Sequence, residues 1–290
     1  MPSRSARNAR FGGCVIIAIL VLAAVVGLTI GGFSWFAGKW QPTPVPGKQR
    51  CVATAGNNAT AVSLEQAHYA SIIAGLSVKR GLPPRAASVA LTTAYQESGI
   101  RNLDYGDRDS VGLFQQRPSQ GWGSEKQLMD PHYASSKFYD ALVKIRNWQT
   151  RDITQVAQAV QISGHPEAYR DHETDARVLA STLTGETPAG FTCLDRTGAN
   201  GDAKALASAL TKTFGSAAKA SRDGKVLTIT AKSKDDAWAY GAFAVANSAQ
   251  YGTVQVVVGN KQWDTNGKKL PDWVAAEEPM YPKQVRITVR

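Results

Sequence analysis

Residues 95–116 read YQESGIRNLDYGDRDSVGLFQQ, and this stretch decides how the rest of the chain is interpreted. An apolar run with helical spacing leads into it, and Glu97 precedes Gly99 by two residues. Because glycine commonly ends helices, Glu97 is predicted to lie at a helix C-terminus. The negative end of the helix dipole disfavours a charged carboxylate there. Burial by apolar neighbours would raise its pKa further, as a general acid requires.

Helical spacing predicts five helices around this stretch. The expected helices are Leu64–Arg80, Pro84 to Glu97, one from Pro131, Ile153–Ile162 and Tyr169–Leu183. The sequence Ser163-Gly164-His165-Pro166 is expected to end the fourth helix. Asp104–Gln116 is expected to form an irregular or β-like insertion. The middle of the chain therefore reads as a mainly α domain.

An apolar segment near the N-terminus predicts a membrane anchor. Residues 15–36 carry no charge and are long enough to span the hydrocarbon core as a helix. Arg4, Arg7 and Arg10 precede it, so residues 1–14 are predicted to be a cytoplasmic tail and the remainder to lie outside the cell membrane. A cleaved signal peptide is the alternative, although its core is usually about 7–15 residues. Residues 37–50 hold three prolines and read as a stiff linker.

The positive charge of the chain is unevenly distributed. The whole chain of 290 residues carries a formal net charge of +10. Residues 51–193 have 13 basic and 14 acidic side chains, a balance of −1, whereas residues 194–290 have 14 and 9, a balance of +5. No basic helix or zinc-finger spacing is present, so nucleic acid is not an expected partner. The four histidines are scattered, and no metal site is expected.

Two cysteines bracket the middle region. Cys51 and Cys193 both lie outside the membrane on the predicted topology, where disulfides persist. We therefore expect them to form a disulfide, although two unrelated thiols are the alternative. The pair indicates a domain over residues 51–193 and a boundary near residue 194.

Residues 194–290 predict a small α+β domain. Helices are expected at Ala203–Phe214 and Asp235–Tyr251, and strands at Val226–Thr230, Thr253–Val258 and Val285–Val289. Three aromatic residues are expected either to form a binding surface or to cover the sheet: Trp263, Trp273 and Tyr281. The basic excess suits anionic cell-wall polymers or a membrane surface.

The middle region resembles a known superfamily. Glu97-Ser98, the run Ser110-Val111-Gly112-Leu113-Phe114-Gln115 and Pro118 resemble the core of the lysozyme-like fold, in its branch of soluble lytic transglycosylases and goose-type lysozymes. The segment 109–139 is similar to cell-wall hydrolase domains of actinobacteria that are anchored in the membrane. The resemblance covers about residues 63–183. It implies a mainly α lysozyme-like domain followed by the small α+β domain, after an N-terminal transmembrane helix.

The resemblance also implies a reaction and a set of site residues. Glu97 would protonate the glycosidic oxygen between N-acetylmuramic acid and N-acetylglucosamine in peptidoglycan, without a cofactor. Gly112 would allow a close backbone approach. Candidate substrate-binding positions are Ser98, Ser110, Gly112, Gln115, Gln116 and Gln161.

One departure from the family pattern leaves the product open. Transglycosylases of this branch carry an Ala-Tyr-Asn-Ala-Gly motif on a later helix, and here Gln161 stands in the place of that tyrosine. An aspartate of the turn at 104–109, with Asp109 preferred, would then serve as the second carboxylate and let water complete the reaction. Turn formation is the alternative role for these aspartates.

These features predict a single-pass, outward-facing enzyme of the muramidase or lytic transglycosylase type. The first rival is a non-catalytic protein that binds the cell wall or acts as a scaffold while retaining a lysozyme-like fold. The second is an assembly factor in which the C-terminal domain does the work.

Overall fold

A computed structural model describes residues 48–162 and 167–290 of the chain. The predicted tail 1–14, the predicted transmembrane helix 15–36 and nearly all of the linker 37–50 fall outside these residues, as does the predicted helix break at 163–166. Within the two described ranges, no helix has the length and apolar character needed to cross a membrane.

Three short antiparallel strands join the two ends of the middle region. They are β1 (Arg50–Ala55), β2 (Asn58–Val62) and β3 (Phe191–Leu194), in the spatial order β2-β1-β3. Cys51 lies opposite Cys193 across β1 and β3, and the two fully buried residues form the predicted disulfide. The sequence pattern does not reveal this sheet, because the strands are short and β2, with the sequence NATAV, alternates only weakly.

The first two helices match their predicted bounds to within one residue. Helix α1 (Leu64–Lys79) begins after Ser63, whose side chain forms a reciprocal capping box with Gln66. Helix α2 (Pro84–Ser98) begins with a proline, because the first backbone N–H of a helix has no partner within the helix and can be missing. It ends at Gly99, which has a φ of 64°. Glu97 therefore lies in the last turn of α2, as predicted.

The later helices of the middle region differ from prediction at two points, an additional short helix at Glu125–Leu128 and the start of the last helix. They are α3 (Glu125–Leu128), α4 (Pro131–Leu142), α5 (Ile153–Gln161) and α6 (Glu173–Leu183). The predicted helix Tyr169–Leu183 was wrong at its start, because Ala168–His172 forms a 3₁₀ turn that precedes α6. The tighter winding of this turn accompanies the burial of Tyr169, which faces Glu97. The segment at 104–116 consists of turns with one isolated bridge between Val111 and Gln116, which confirms the irregular insertion.

The C-terminal part contains helices packed on one antiparallel sheet. The helices are α7 (Ala203–Phe214), α8 (Lys234–Ala246) and α9 (Ser248–Tyr251). The strands are β4 (Ser221–Asp223), β5 (Val226–Thr230), β6 (Thr253–Val258), β7 (Lys261–Asp264), β8 (Val274–Ala275) and β9 (Gln284–Val289), in the order β4-β5-β9-β6-β7-β8. This arrangement confirms the α+β character and the three predicted strands.

The predicted helix Asp235–Tyr251 was wrong in being continuous. Asn247 interrupts it with a non-helical backbone, and its buried amide donates to the carbonyl of Phe243 and the hydroxyl of Ser71. Its oxygen contacts Nδ1 of His68 at 2.5 Å. The contacts with Ser71 and His68 join this helix end to α1 and give the buried amide its partners.

Contacts between the middle and C-terminal parts join them into one unit. Trp263 is fully buried and donates its indole N–H to Thr192 Oγ1 at 2.9 Å, and Trp273 donates to the Phe191 carbonyl at 2.8 Å. Both tryptophans therefore cover the junction, whereas Tyr281 is 78% exposed. The described residues from 48 onward form one compact unit, and the predicted boundary near residue 194 lies inside it.

Candidate active site

Glu97 lies half-buried at the C-terminal end of α2. Its carboxylate Oε1 accepts a hydrogen bond of 2.6 Å from the hydroxyl of Tyr169. Tyr169 is itself fully buried on the 3₁₀ turn before α6. A phenol and a carboxyl group thus meet where two elements distant in the chain come together.

The surroundings of Glu97 raise its pKa. Burial is the largest cause, because it disfavours the charged carboxylate. Hydrogen bonds from Tyr169 and Gln161 act in the opposite direction, and the pKa nevertheless stays above its usual value. Glu97 therefore retains its proton to a higher pH than an exposed glutamate does, which suits a proton donor.

Gln161 reaches the site from the last turn of α5. Its amide donates to the Phe114 carbonyl at 2.7 Å and also hydrogen-bonds to Glu97. This is the position at which a tyrosine was expected from the family resemblance. The phenol that contacts Glu97 belongs to Tyr169, which is eight residues further along the chain.

The 3₁₀ turn that carries Tyr169 is fastened at two further points. His172 stacks on Tyr95 with ring centroids 5.3 Å apart and planes inclined by 8°. Arg170 pairs with Asp152, the N-cap of α5, at 3.4 Å. These contacts attach the turn to α2 on one side and to α5 on the other, which restricts the movement of the Tyr169 hydroxyl away from Glu97.

Asp109 is held by its own loop. Its Oδ1 accepts from Arg117 Nε at 2.9 Å and from the Ser119 hydroxyl at 3.0 Å, and its Oδ2 accepts from the Ser119 amide at 2.8 Å. These donors hold the pKa of Asp109 far below its usual range. A carboxylate stabilised in this way is a weak base, so its contacts favour a structural role in the loop. Asp104 and Asp107 are exposed on the same turn.

Ser98 and Ser110 are buried, and Gly112 packs closely against the backbone. The Ser98 hydroxyl donates to the Leu113 carbonyl at 2.7 Å and ties α2 to the insertion. Gly112 has a φ of 79°, and a β-carbon there would lie 2.6 Å from the Leu128 carbonyl oxygen. The backbone that this glycine approaches belongs to α3, and its predicted place beside the substrate stays a prediction.

The two consecutive glutamines also support the insertion. Gln115 donates to the carbonyls of Tyr105 and Gly112, each at 3.2 Å. Gln116 is buried and donates to the Ala134 carbonyl at 3.4 Å. Of the six predicted substrate-binding residues, Gln161 is the one whose side chain hydrogen-bonds to Glu97.

No sequence pattern links Tyr169 to Glu97, because the two residues are 72 positions apart in the chain. A buried tyrosine needs a partner for its hydroxyl, but this rule does not identify the partner. Among the described residues, no group of three or more histidine, cysteine, aspartate or glutamate side chains is arranged to hold a metal ion.

Comparisons with protein-family models and with curated proteins found no match to this chain.

Proposed function

We propose that this protein cleaves the glycan strands of peptidoglycan, with Glu97 as the general acid. The observation that supports this most directly is the half-buried Glu97 carboxyl, which has a raised pKa and lies 2.6 Å from the Tyr169 hydroxyl. A glutamate exposed to solvent at a helix end would have water as its hydrogen-bond partner rather than the hydroxyl of a buried tyrosine. The cleavage takes place outside the cell membrane, to which residues 15–36 anchor the chain.

In the first step Glu97 donates its proton to the glycosidic oxygen. The bond between this oxygen and C1 of the N-acetylmuramic acid breaks, and positive charge develops on the sugar ring. Glu97 becomes a carboxylate, and the hydrogen bonds from Tyr169 and Gln161 stabilise this charged form. The same two donors hold the carboxyl in position before the reaction, which reduces the reorganisation that the step requires.

In the second step the Glu97 carboxylate takes a proton from the nucleophile that attacks C1. We propose that the nucleophile is the C6 hydroxyl of the same sugar, which gives an anhydro product and returns the proton to Glu97. The contacts of Asp109 support this route, because a carboxylate already held by Arg117 and Ser119 is poorly suited to activate water. A muramidase reaction with water remains the alternative chemistry at the same acid.

Glu97→Gln tests the assignment. The full chain is added to purified sacculi, and the release of soluble muropeptides is measured. The variant should lose about 10²–10⁴-fold in rate, the usual contribution of a general acid. The matched variant Glu125→Gln changes an exposed glutamate at the start of α3 and should retain activity. An inactive wild type that still binds sacculi would support the non-catalytic wall-binding alternative.

Mass spectrometry of the products distinguishes the two chemistries. Anhydro ends support attack by the C6 hydroxyl of the same sugar. Reducing ends identify a muramidase and exclude the intramolecular route.

The C-terminal part is proposed to hold the enzyme near anionic wall polymers through its excess of five positive charges, counted as 14 basic minus 9 acidic side chains.

A further inference from the structure

An open cavity of about 550 Å³ lies in the C-terminal part of the chain. Its lining comes mainly from three segments, which follow β3, β7 and β9. Each segment supplies one basic side chain, namely Arg196, Lys268 and Arg290 in that order. The volume falls in the range of small-ligand sites. The residues that hydrogen-bond to Glu97 are not among those that line this cavity.

The side chains around the cavity carry a positive balance. Arg196, Lys268 and Arg290 provide three cationic groups, and Asp195 provides one carboxylate, which gives a net charge of +2. A terminal carboxylate at Arg290 would reduce this balance to +1, and the main-chain oxygen of Arg290 lies against Gly201, outside the lining. The cavity is therefore a local concentration of the positive charge of the C-terminal part.

Neutral groups hold the arginines in place. Arg196 donates to the backbone carbonyls of Gly267 and Lys268 at 2.7 and 2.9 Å. Arg290 donates to the Ala199 carbonyl at 3.0 Å. Lys268 and Arg290 form no ion pair with any residue that the structure describes. Because a carbonyl orients a guanidinium without cancelling its charge, the positive balance is available to an anion.

The cavity lies beside the point where the linker enters the described part of the chain. The backbone amide of Arg196 donates to Gln49 Oε1 at 2.7 Å. The predicted membrane segment ends at residue 36, so the 11 residues 37–47 separate it from Lys48. A chain of this length spans at most about 40 Å. Gln49 and the neighbouring cavity are therefore tethered within reach of a bilayer surface.

We propose that this cavity binds the phosphate groups of anionic phospholipids in the membrane that anchors the chain. The proposal rests on the anchor at residues 15–36, which is one part of the proposed function. Phosphate oxygens accept charge-assisted hydrogen bonds from arginine and lysine, which matches the lining. A linker alone leaves the folded unit free to rotate, whereas this second attachment restricts its orientation above the bilayer.

The test measures how fast Lys268 reacts, and it requires no cleavage. The full chain is incorporated into phosphatidylcholine vesicles with or without phosphatidylglycerol, and flotation of the vesicles checks the anchor independently. A water-soluble acylating reagent that does not cross membranes is applied briefly, and the modification of each lysine is measured by mass spectrometry. Lys268 should react at least about tenfold more slowly on the anionic vesicles, because each basic side chain near an anionic surface contributes about fivefold. Lys126, which is exposed on α3, should react equally on both kinds of vesicle.

Two variants sharpen the test. Arg290→Gln should reduce the protection of Lys268 about fivefold, because it removes one of the three cationic groups. Lys144→Gln is the matched control, since it removes an exposed positive charge that does not line the cavity, and it should leave the protection unchanged. Equal reactivity of Lys268 on the two kinds of vesicle overturns the proposal. Equal protection of Lys126 and Lys268 also overturns it, because this result indicates nonspecific adsorption.

A soluble poly(glycerol phosphate), added to the neutral vesicles, distinguishes wall polymers from lipids. Protection of Lys268 by this polymer but not by anionic vesicles overturns the lipid assignment and identifies a site for wall polymers. Absence of flotation with neutral vesicles would refute the proposed anchor, and the reactivity of Lys268 on anionic vesicles would still decide the lipid site. Glycan cleavage is measured on sacculi in a separate assay, so its failure is observed independently.

Discussion

The hydrogen bond from Tyr169 to Glu97 makes a quantitative prediction about the pH dependence of cleavage. Tyr169→Phe removes the hydroxyl that contacts Oε1 at 2.6 Å and leaves the buried ring in place. This hydroxyl favours the charged carboxylate and so opposes the effect of burial on the Glu97 pKa. Without it, the pKa of Glu97 should rise further.

The size of the effect follows from hydrogen-bond energetics. A hydrogen bond to a charged group contributes about 1.5–3 kcal/mol, and one to a neutral group about 0.5–1.5 kcal/mol. The variant therefore loses about 1–1.5 kcal/mol of preference for the charged form. Since a tenfold change in a protonation equilibrium corresponds to about 1.4 kcal/mol, the midpoint should move by about one pH unit.

The assay is the pH profile of kcat/KM on soluble glycan strands. A general acid acts in its protonated form, so activity falls as pH rises through its pKa in the free enzyme. Tyr169→Phe should move the high-pH limb of the profile to higher pH by about one unit. The value of kcat/KM at the optimum should fall by about tenfold or less, because the carboxyl is less well positioned.

Tyr139→Phe is the matched control. Its hydroxyl is also buried and donates to the Ile73 carbonyl at 2.8 Å, away from Glu97. Both variants should lose a similar amount of stability, but only Tyr169→Phe should move the limb. A limb that stays in place, or that moves toward lower pH, refutes the argument that Tyr169 tunes Glu97.

Three further predictions test the site and the scaffold. Asp109→Asn should lower the cleavage rate by about tenfold or less and leave the pH profile unchanged, because Asp109 supports the loop; a loss of about 10²–10⁴-fold in the same assay would identify it as a general base. Folding raises the pKa of Glu97, so the native protein binds this proton more tightly than the unfolded protein does. The contribution of Glu97 to the free energy of unfolding is therefore greatest below its pKa in the unfolded state. It declines as pH rises through its raised pKa in the folded state. Glu97→Gln should therefore raise Tm at pH 7 relative to the wild type and lose this advantage near pH 4, as measured by calorimetry. Replacing Cys51 and Cys193 with alanine opens a link between residues 142 apart and should cost about 5 kcal/mol in the chain-entropy model, measured by urea unfolding; an unchanged midpoint would contradict a stabilising disulfide.

Local sequence patterns determined the surroundings of Glu97 along its own helix. Ser63 with Gln66, Pro84 and Gly99 set the ends of α1 and α2 through contacts that reach only a few residues. Such signals are readable because capping and the helix period act within one or two turns. The disulfide could also be predicted from the sequence, because only two cysteines lie on the same side of the predicted membrane segment.

Only the tertiary structure decided which groups meet Glu97. Tyr169 lies 72 residues away, and its contact depends on the packing of α6 along α2 and on the 3₁₀ turn that interrupts the predicted helix. Tertiary structure likewise decided that Asp109 accepts hydrogen bonds from Arg117 and Ser119, and that Gln115 donates to carbonyls of its own loop. The sequence determined that a carboxyl ends this helix, since helix ends are local. The partners that set its pKa were decided by long-range packing, which no short-range pattern encodes.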